Sequence, residues 1–155
     1  AVTYDALHYG LKSILVHPYN DERIIEGQGT VALELIEQCP EIEAIISPVS
    51  GGGLLGGTIC TAKKINDKIK IYGAEPKEAD DAFRSIKSGV IKTNKSTNTI
   101  CDGLWDQFGS LTFPIIKNYV ADIFIIEENK RSPKCYFCYF FIRFVFIKIE
   151  KIHQM

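Results

Sequence analysis

The sequence predicts an α/β fold: a parallel sheet with helices on both faces. Short apolar runs alternate with amphipathic stretches, a run of glycines stands at one strand-to-helix junction, and the pieces are spaced as a βαβ crossover requires. Such crossovers force neighbouring strands to run parallel, since a tight hairpin would reverse the chain.

Ser13 to Val16 is the first strand candidate. Thr30 to Gln38 sets Val31 above Leu35 and Ala32 above Ile36, a helical spacing, with Gly29 standing before the first turn. Ala44-Ile45-Ile46-Ser47-Pro48 reads as a strand, and the glycine run after it leads into a helix over Leu54 to Ile65. Ile69-Lys70-Ile71-Tyr72-Gly73 is the next strand, which closes a βαβ unit. A short helix over Ala79 to Lys87, a polar loop over Lys92 to Asn98, a helix within Trp105 to Val120 and a strand over Asp122 to Ile126 complete the series.

With 155 residues, 46% of them hydrophobic and 24% charged, the chain is one domain or a piece of a larger one. It opens on Ala1 inside a predicted helix and its one methionine is Met155, so a fragment is expected. A net charge of -1 supplies no broad basic field, which argues against nucleic acid and anionic lipid as partners. The longest apolar run, Cys135 to Ile147, is 13 residues interrupted by Arg143. A membrane helix needs about 20. The odd count of 5 cysteines and the lack of a signal-like start suit a reducing, cytoplasmic setting.

Charge divides the chain unevenly: residues 1–129 hold 12 Lys/Arg against 18 Asp/Glu, net -6, and residues 130–155 hold 6 against 1, net +5. Residues 135–147 carry 7 of the 17 aromatics and follow neither a period of 2 nor one of 3.6. Cys135-x-x-Cys138 lacks the βαβ context of a redox pair and the second ligand pair of a zinc site. The expected organisation is therefore a partial domain over 1–129 and an aberrant hydrophobic, basic tail over 130–155, such as read-through or a frame error would produce.

Ser50-Gly51-Gly52-Gly53-Leu54-Leu55-Gly56-Gly57 carries the strongest chemical signal. Successive residues without Cβ let the backbone fold so that N–H groups converge, and the following helix offers its positive end to the same point. Such a loop suits a phosphate; packing alone would be the plainer use of the glycines. Gly51-x-Gly53-x-x-Gly56 also matches the dinucleotide fingerprint, with Glu75 near the end of the next strand where an acid could hold a ribose. No Gly-Lys-Ser/Thr closes the loop, which argues against a P-loop nucleotide site.

Pro48-Val49 and the glycine run that follows resemble the phosphate-cradling loop of the fold-type II pyridoxal-phosphate enzymes, the group of serine racemase, the serine and threonine dehydratases and tryptophan synthase β. His17-Pro18, Gly27-Gln28-Gly29-Thr30 with Ala32-Leu33-Glu34, Tyr72-Gly73-Ala74-Glu75-Pro76, Ala79-Asp80-Asp81 and Ile100-Cys101-Asp102-Gly103 stand in the order and spacing of the serine racemase branch. The resemblance covers about residues 8 to 129. It implies that 1–129 is part of the cofactor-binding large domain, with the end of the small domain at about 1–20. By the same resemblance Ser50, Gly51, Gly52, Gly53 and Leu54 hold the cofactor 5′-phosphate, and Gly103 lies beside the pyridine ring.

Glu75, the backbone carbonyl of Ala79 and Asp81 resemble the divalent-cation site of the eukaryotic serine racemases. Hard Mg²⁺ or Ca²⁺ takes oxygen ligands, and a strand-end glutamate with an aspartate a turn later can close around one ion. Read without the resemblance, the same residues with Glu78 and Asp80 make a solvated acidic patch. The implied activity is serine racemisation with dehydration of serine as companion, in a homodimer that takes ATP as effector when full length. The Schiff-base lysine of the family has no match, since Lys12 precedes Ser13 instead of following it and Lys134 lies in the tail. The opposite-face serine is absent too, so no catalytic residue is assigned in this chain. His8 and His17 have no metal or triad spacing, and Trp105 reads as core or interface packing.

Overall fold

The computed structural model describes residues 16–94, 97–101, 103–127 and 145–147. Of the strand expected at Ser13 to Val16 only Val16 is described, and it is not in a strand; the opening helix with His8, Asp102 and the Cys135–Cys138 pair lie outside the described residues. The elements are α1 (Glu22–Gln38), β1 (Ala44–Pro48), α2 (Gly53–Ile65), β2 (Lys70–Pro76), a 3₁₀ turn (Lys77–Ala79), α3 (Asp81–Ser88), α4 (Thr112–Tyr119), β3 (Asp122–Ile126) and β4 (Val145–Ile147).

The largest departure from expectation is α1, which starts eight residues before Thr30. Asp21 caps it: the residue is extended and its Oδ1 accepts from Arg23 N at 3.0 Å. Gly27 and Gly29 then lie inside the helix, where glycine costs about 1 kcal/mol against alanine. Close packing offsets that cost at Gly29. A Cβ there would run into Thr61 Oγ1 and the Gly57 carbonyl, and a Cβ on Gly57 would meet Gly29 N at 2.6 Å. Without side chains at these points, the backbones of α1 and α2 touch.

The sheet order is β3-β2-β1-β4, with the first three strands parallel. Ile45 lies opposite Ile71, and Gly73 opposite Ile123. β4 runs antiparallel along the outer edge of β1, pairing Phe146 with Ile45, so three residues of the 130–155 segment join the sheet. From β1 to β3 the chain steps always the same way across the sheet. Right-handed crossovers then place the intervening helices on one face.

Ile45, Ile71 and Ile123 point to that face and form one core with Ala32 and Leu35 of α1, Leu55 and Ile59 of α2, Ala82 of α3 and Ile116 of α4. On the opposite face Ala74 packs with Cys101 and Leu104, flanked by Ile46 and Ile126. Tyr72 and Phe124 stack there at 5.3 Å, and Phe124 remains 43% exposed. Helices on both faces were expected; among the described residues they occupy one, and the loop around Cys101 partly covers the other.

Parallel sheets are ordinarily buried on both sides, and a face that the described residues cover only in part favours association. The tail adds Tyr136 to Ile142, an uncharged β-prone window without proline. Expressed alone, residues 1–155 are expected to self-associate, and removal of the residues after Asn129 to improve solubility without giving a stable monomer. Light scattering and thermal unfolding of both chains check this; one sharp transition from a monomeric 155-residue chain would make the tail an integral structural element.

Candidate functional site

After Pro48 the chain stays in the sheet for one more residue, Val49 N donating to Ala74 O at 3.0 Å. Ser50, Gly51 and Gly52 then turn it into α2. Gly52 is the N-cap, left-handed at φ 91°, and no side chain caps the helix. The first intrahelical bond is Gly56 N to Gly52 O at 2.8 Å. The N–H groups of Gly53, Leu54 and Leu55 therefore have no acceptor in the helix, and its positive end faces the turn. A Cβ on Gly52 would meet Ile116 Cδ1 at 2.7 Å and Thr112 Oγ1 at 2.9 Å, so this position points away from the turn's open side and into α4.

Distant residues hold the turn in shape. Ser50 Oγ accepts from Asp106 N at 2.9 Å and donates to Asp106 O at 3.1 Å. Thr112, fully buried, donates from Oγ1 to Gly51 O at 2.7 Å and accepts from Gly109 N at 2.9 Å. On the other side the Tyr19 ring lies where a Cβ on Gly51 would be, and Tyr19 Cβ would be 3.0 Å from a Cβ on Gly53. Tyr19 belongs to a turn in which His17 Nδ1 accepts from Asn20 N at 3.0 Å and from Tyr19 N at 3.4 Å. Asn20 Oδ1 accepts from Leu111 N at 2.8 Å, which ties that turn to the start of α4.

These pieces enclose a cavity of about 260 Å³ whose lining includes Tyr19, Ser50, Gly51, Gly52, Gly53, Leu54, Gly103 and Asp106. All six residues expected at the phosphate and ring of a cofactor thus border one cavity. Tyr19, Asn20, Asp106 and Thr112 were not anticipated: Asp106 and Thr112 reach the loop across 56 and 61 residues, Asn20 reaches Leu111 across 91, and nothing local marks Tyr19 as the neighbour of Gly51. Trp105, expected in a core or interface, is 56% exposed here. His17 is the acceptor of its turn, a role its sequence neighbours do not signal.

Glu75, 1% exposed near the end of β2, turns inward. Its Oε1 accepts from Phe83 N at 2.6 Å and its Oε2 from Ala82 N at 3.1 Å, so it caps α3. That placement removes the dinucleotide option, which needs the acid open to a ribose. Asp81, 3% exposed, accepts from Asn94 Nδ2 through Oδ1, and its Oδ2 has no hydrogen-bond partner among the described residues. Burial pushes Glu75 up to about 8, with the charges of Asp81 and Asp80 adding to the rise. Burial likewise pushes Asp81 up to about 6. A solvated patch is therefore excluded for these two, while Asp80 pairs with Arg84 at 2.7 Å. Ala79 sits between them, buried in the 3₁₀ turn. Among the described residues no three His, Cys, Asp or Glu side chains gather, so a cation here must draw on backbone carbonyl or water oxygens as well.

Comparison with known proteins adds a consistent picture. The family described as pyridoxal-phosphate dependent enzyme matches residues 5–130. A serine racemase of Arabidopsis thaliana is 51% identical over 127 residues, which are 82% of this chain and 38% of that protein. A β-hydroxyaspartate dehydratase of Paracoccus denitrificans is 43% identical over 113 residues, 73% of this chain and 36% of that protein. The structure of maize serine racemase superposes with a TM-score of 0.76 at 47% identity, over 81% of this chain and 39% of that one. The chain thus spans well under half the length of each of these three relatives.

Proposed function

Because the chain belongs to the pyridoxal-phosphate dependent enzymes, we propose that it is the cofactor-phosphate segment of a serine racemase that also dehydrates serine to pyruvate and ammonia. The observation that carries the reading is the cavity between the α2 N-terminus and Gly103, with left-handed Gly52 at its turn. When bound, pyridoxal phosphate supplies the electron sink that makes the α-proton of an amino acid removable. The residues of this chain hold and orient. Backbone N–H groups of Gly53, Leu54 and Leu55 would take the phosphate oxygens, the helix end would favour the dianion, and Thr112 and Ser50 keep the turn from relaxing.

In the full-length protein containing this segment, L-serine should give D-serine and pyruvate, read by chiral chromatography and a coupled lactate dehydrogenase assay. Keto acid without D-serine would favour the second reading, a hydroxy-amino-acid dehydratase, to which the Paracoccus relative points. NAD-dependent chemistry with neither product would overturn both. The proposal includes a cytosolic homodimer with ATP as effector of the full-length protein, as the resemblance implies.

We extend the reading to a divalent cation held by Glu75, the carbonyl of Ala79 and Asp81. Burial makes both carboxylates costly to ionise, the charge of Asp81 adds to the cost at Glu75, and the Asp81 Oδ2, unpartnered among the described residues, is an oxygen for which a cation would be the missing partner. Without the ion, folded carboxyls raised from 4.5 to about 8 and from 3.8 to about 6 confer stability that is lost as pH rises through those values. Mg²⁺ or Ca²⁺ should therefore raise the melting temperature of the full-length protein more at pH 8 than at pH 6, and chelator should reverse it. Glu75→Gln with Asp81→Asn should abolish the response; a shift that survives both changes assigns the ion elsewhere.

A further inference from the structure

We infer that Tyr19 is a positioning residue of the phosphate site and that His17 is the latch that holds it. The inference rests on the cofactor reading above and adds a wall that the glycine loop alone does not supply. Three contacts converge on it. The Tyr19 ring occupies the space a Cβ on Gly51 would need, and Tyr19 Cβ and Cα would lie 3.0 and 3.1 Å from a Cβ on Gly53. The ring also lines the cavity itself, beside Ser50, Gly103 and Asp106. Finally, the ring is fixed from behind by the edge-to-face contact with His17, whose centroid lies 4.6 Å away.

A glycine turn is stiff only if its neighbours make it so. Glycine loses more conformational freedom on ordering than any other residue, and a cradle that must be ordered by its ligand binds more weakly than one already formed. Thr112 restrains the turn from the core side through Gly51 O. Tyr19 restrains it from the opposite side by contact, and two backbone N–H groups donating to His17 Nδ1 restrain Tyr19. The side-chain anchor of Asn20 on Leu111 N completes the brace. Gly51 accordingly lacks a side chain because Tyr19 takes the space, and the phosphate is not what requires it.

The test uses the full-length protein containing this segment, with dissociation constants for pyridoxal phosphate, for pyridoxal and for inorganic phosphate as competitor. Tyr19→Ala should weaken pyridoxal phosphate about tenfold and leave pyridoxal unchanged, whereas Tyr19→Phe should bind as the parent does. His17→Ala should lose affinity in the same sense, and His17→Asn should recover it, since Oδ1 can accept where Nδ1 does. Gly51→Ala should abolish phosphate-dependent binding, and adding Tyr19→Ala to it should restore a part, a non-additivity expected only of residues in contact. If the full-length parent shows no phosphate-competable binding, the cofactor reading falls and the inference with it. If the parent binds and Tyr19→Ala binds equally well, or if the double variant is no better than Gly51→Ala, only the role of Tyr19 is overturned. Should Tyr19→Ala fail to fold, the His17→Ala and His17→Asn pair decides by the same ratio of pyridoxal phosphate to pyridoxal affinity.

Discussion

Incubated with pyridoxal phosphate and serine, the 155-residue chain should give neither D-serine nor pyruvate, and borohydride followed by peptide mapping should leave no single lysine stoichiometrically labelled. The cavity that suits the phosphate is lined by prolines, Tyr19, the glycine loop, Gly103, Leu104 and Asp106, with no lysine among its lining residues. Backbone amides can bind the phosphate, but covalent capture of the aldehyde needs an amine held within bonding distance. None of the described lysines stands there, and the tail's Lys134 matches no family motif. The effect is of the largest kind, absence against turnover. A single labelled lysine together with serine turnover would place a nucleophile where the structure shows none.

Gly52→Val in the full-length protein should lower affinity for pyridoxal phosphate about tenfold or more. Two costs combine. The residue sits at φ 91°, where a β-branched side chain is strained by roughly 1–3 kcal/mol. Its Cβ would also overlap Ile116 Cδ1 at 2.7 Å and Thr112 Cβ at 2.9 Å. The structure sends the new side chain into α4, away from the open side of the turn. The loss is therefore indirect, through displacement of the Thr112 anchor on Gly51 O, and should be accompanied by a lower melting temperature. Titration followed by absorbance, with NAD as control, checks the prediction: unchanged pyridoxal phosphate affinity with loss of NAD binding would restore the dinucleotide reading.

The strands and the glycine loop were legible because their signals are local. Ala44-Ile45-Ile46-Ser47-Pro48 and Asp122 to Ile126 are observed with the expected bounds, since short apolar runs between turn residues leave few alternatives. α1 was read too short because Gly27 and Gly29 count against a helix until the backbone of α2 is known to lie against them. In the same way, Thr112 gave no sign of its tie to Gly51 O, because a contact across 61 residues leaves no periodic trace. The acidic pair was legible as a pair only. Its burial, and with it the capping of α3 by Glu75, depends on how β2 meets α3 in space. The one-sided placement of the described helices was hidden for a similar reason: it follows from the direction in which strands are added, which is a property of topology and not of any segment.

The contact between Gly29 and Gly57 acts as a fulcrum. Gly57 lies one helical turn from the start of α2 at Gly53, and Gly29 lies eight residues from the Asp21 cap of α1, roughly 12 Å at 1.5 Å per residue. The glycine cradle is therefore carried on a short arm and the Tyr19 brace on a long one, both pivoting where two bare backbones meet. A single methyl group at the pivot, as in Gly29→Ala or Gly57→Ala, would displace the end of the long arm more than that of the short one, changing the spacing of brace and cradle without altering a residue in either. Shape at the cavity is thus geared to a point outside it, and that spacing is set by the absence of two side chains.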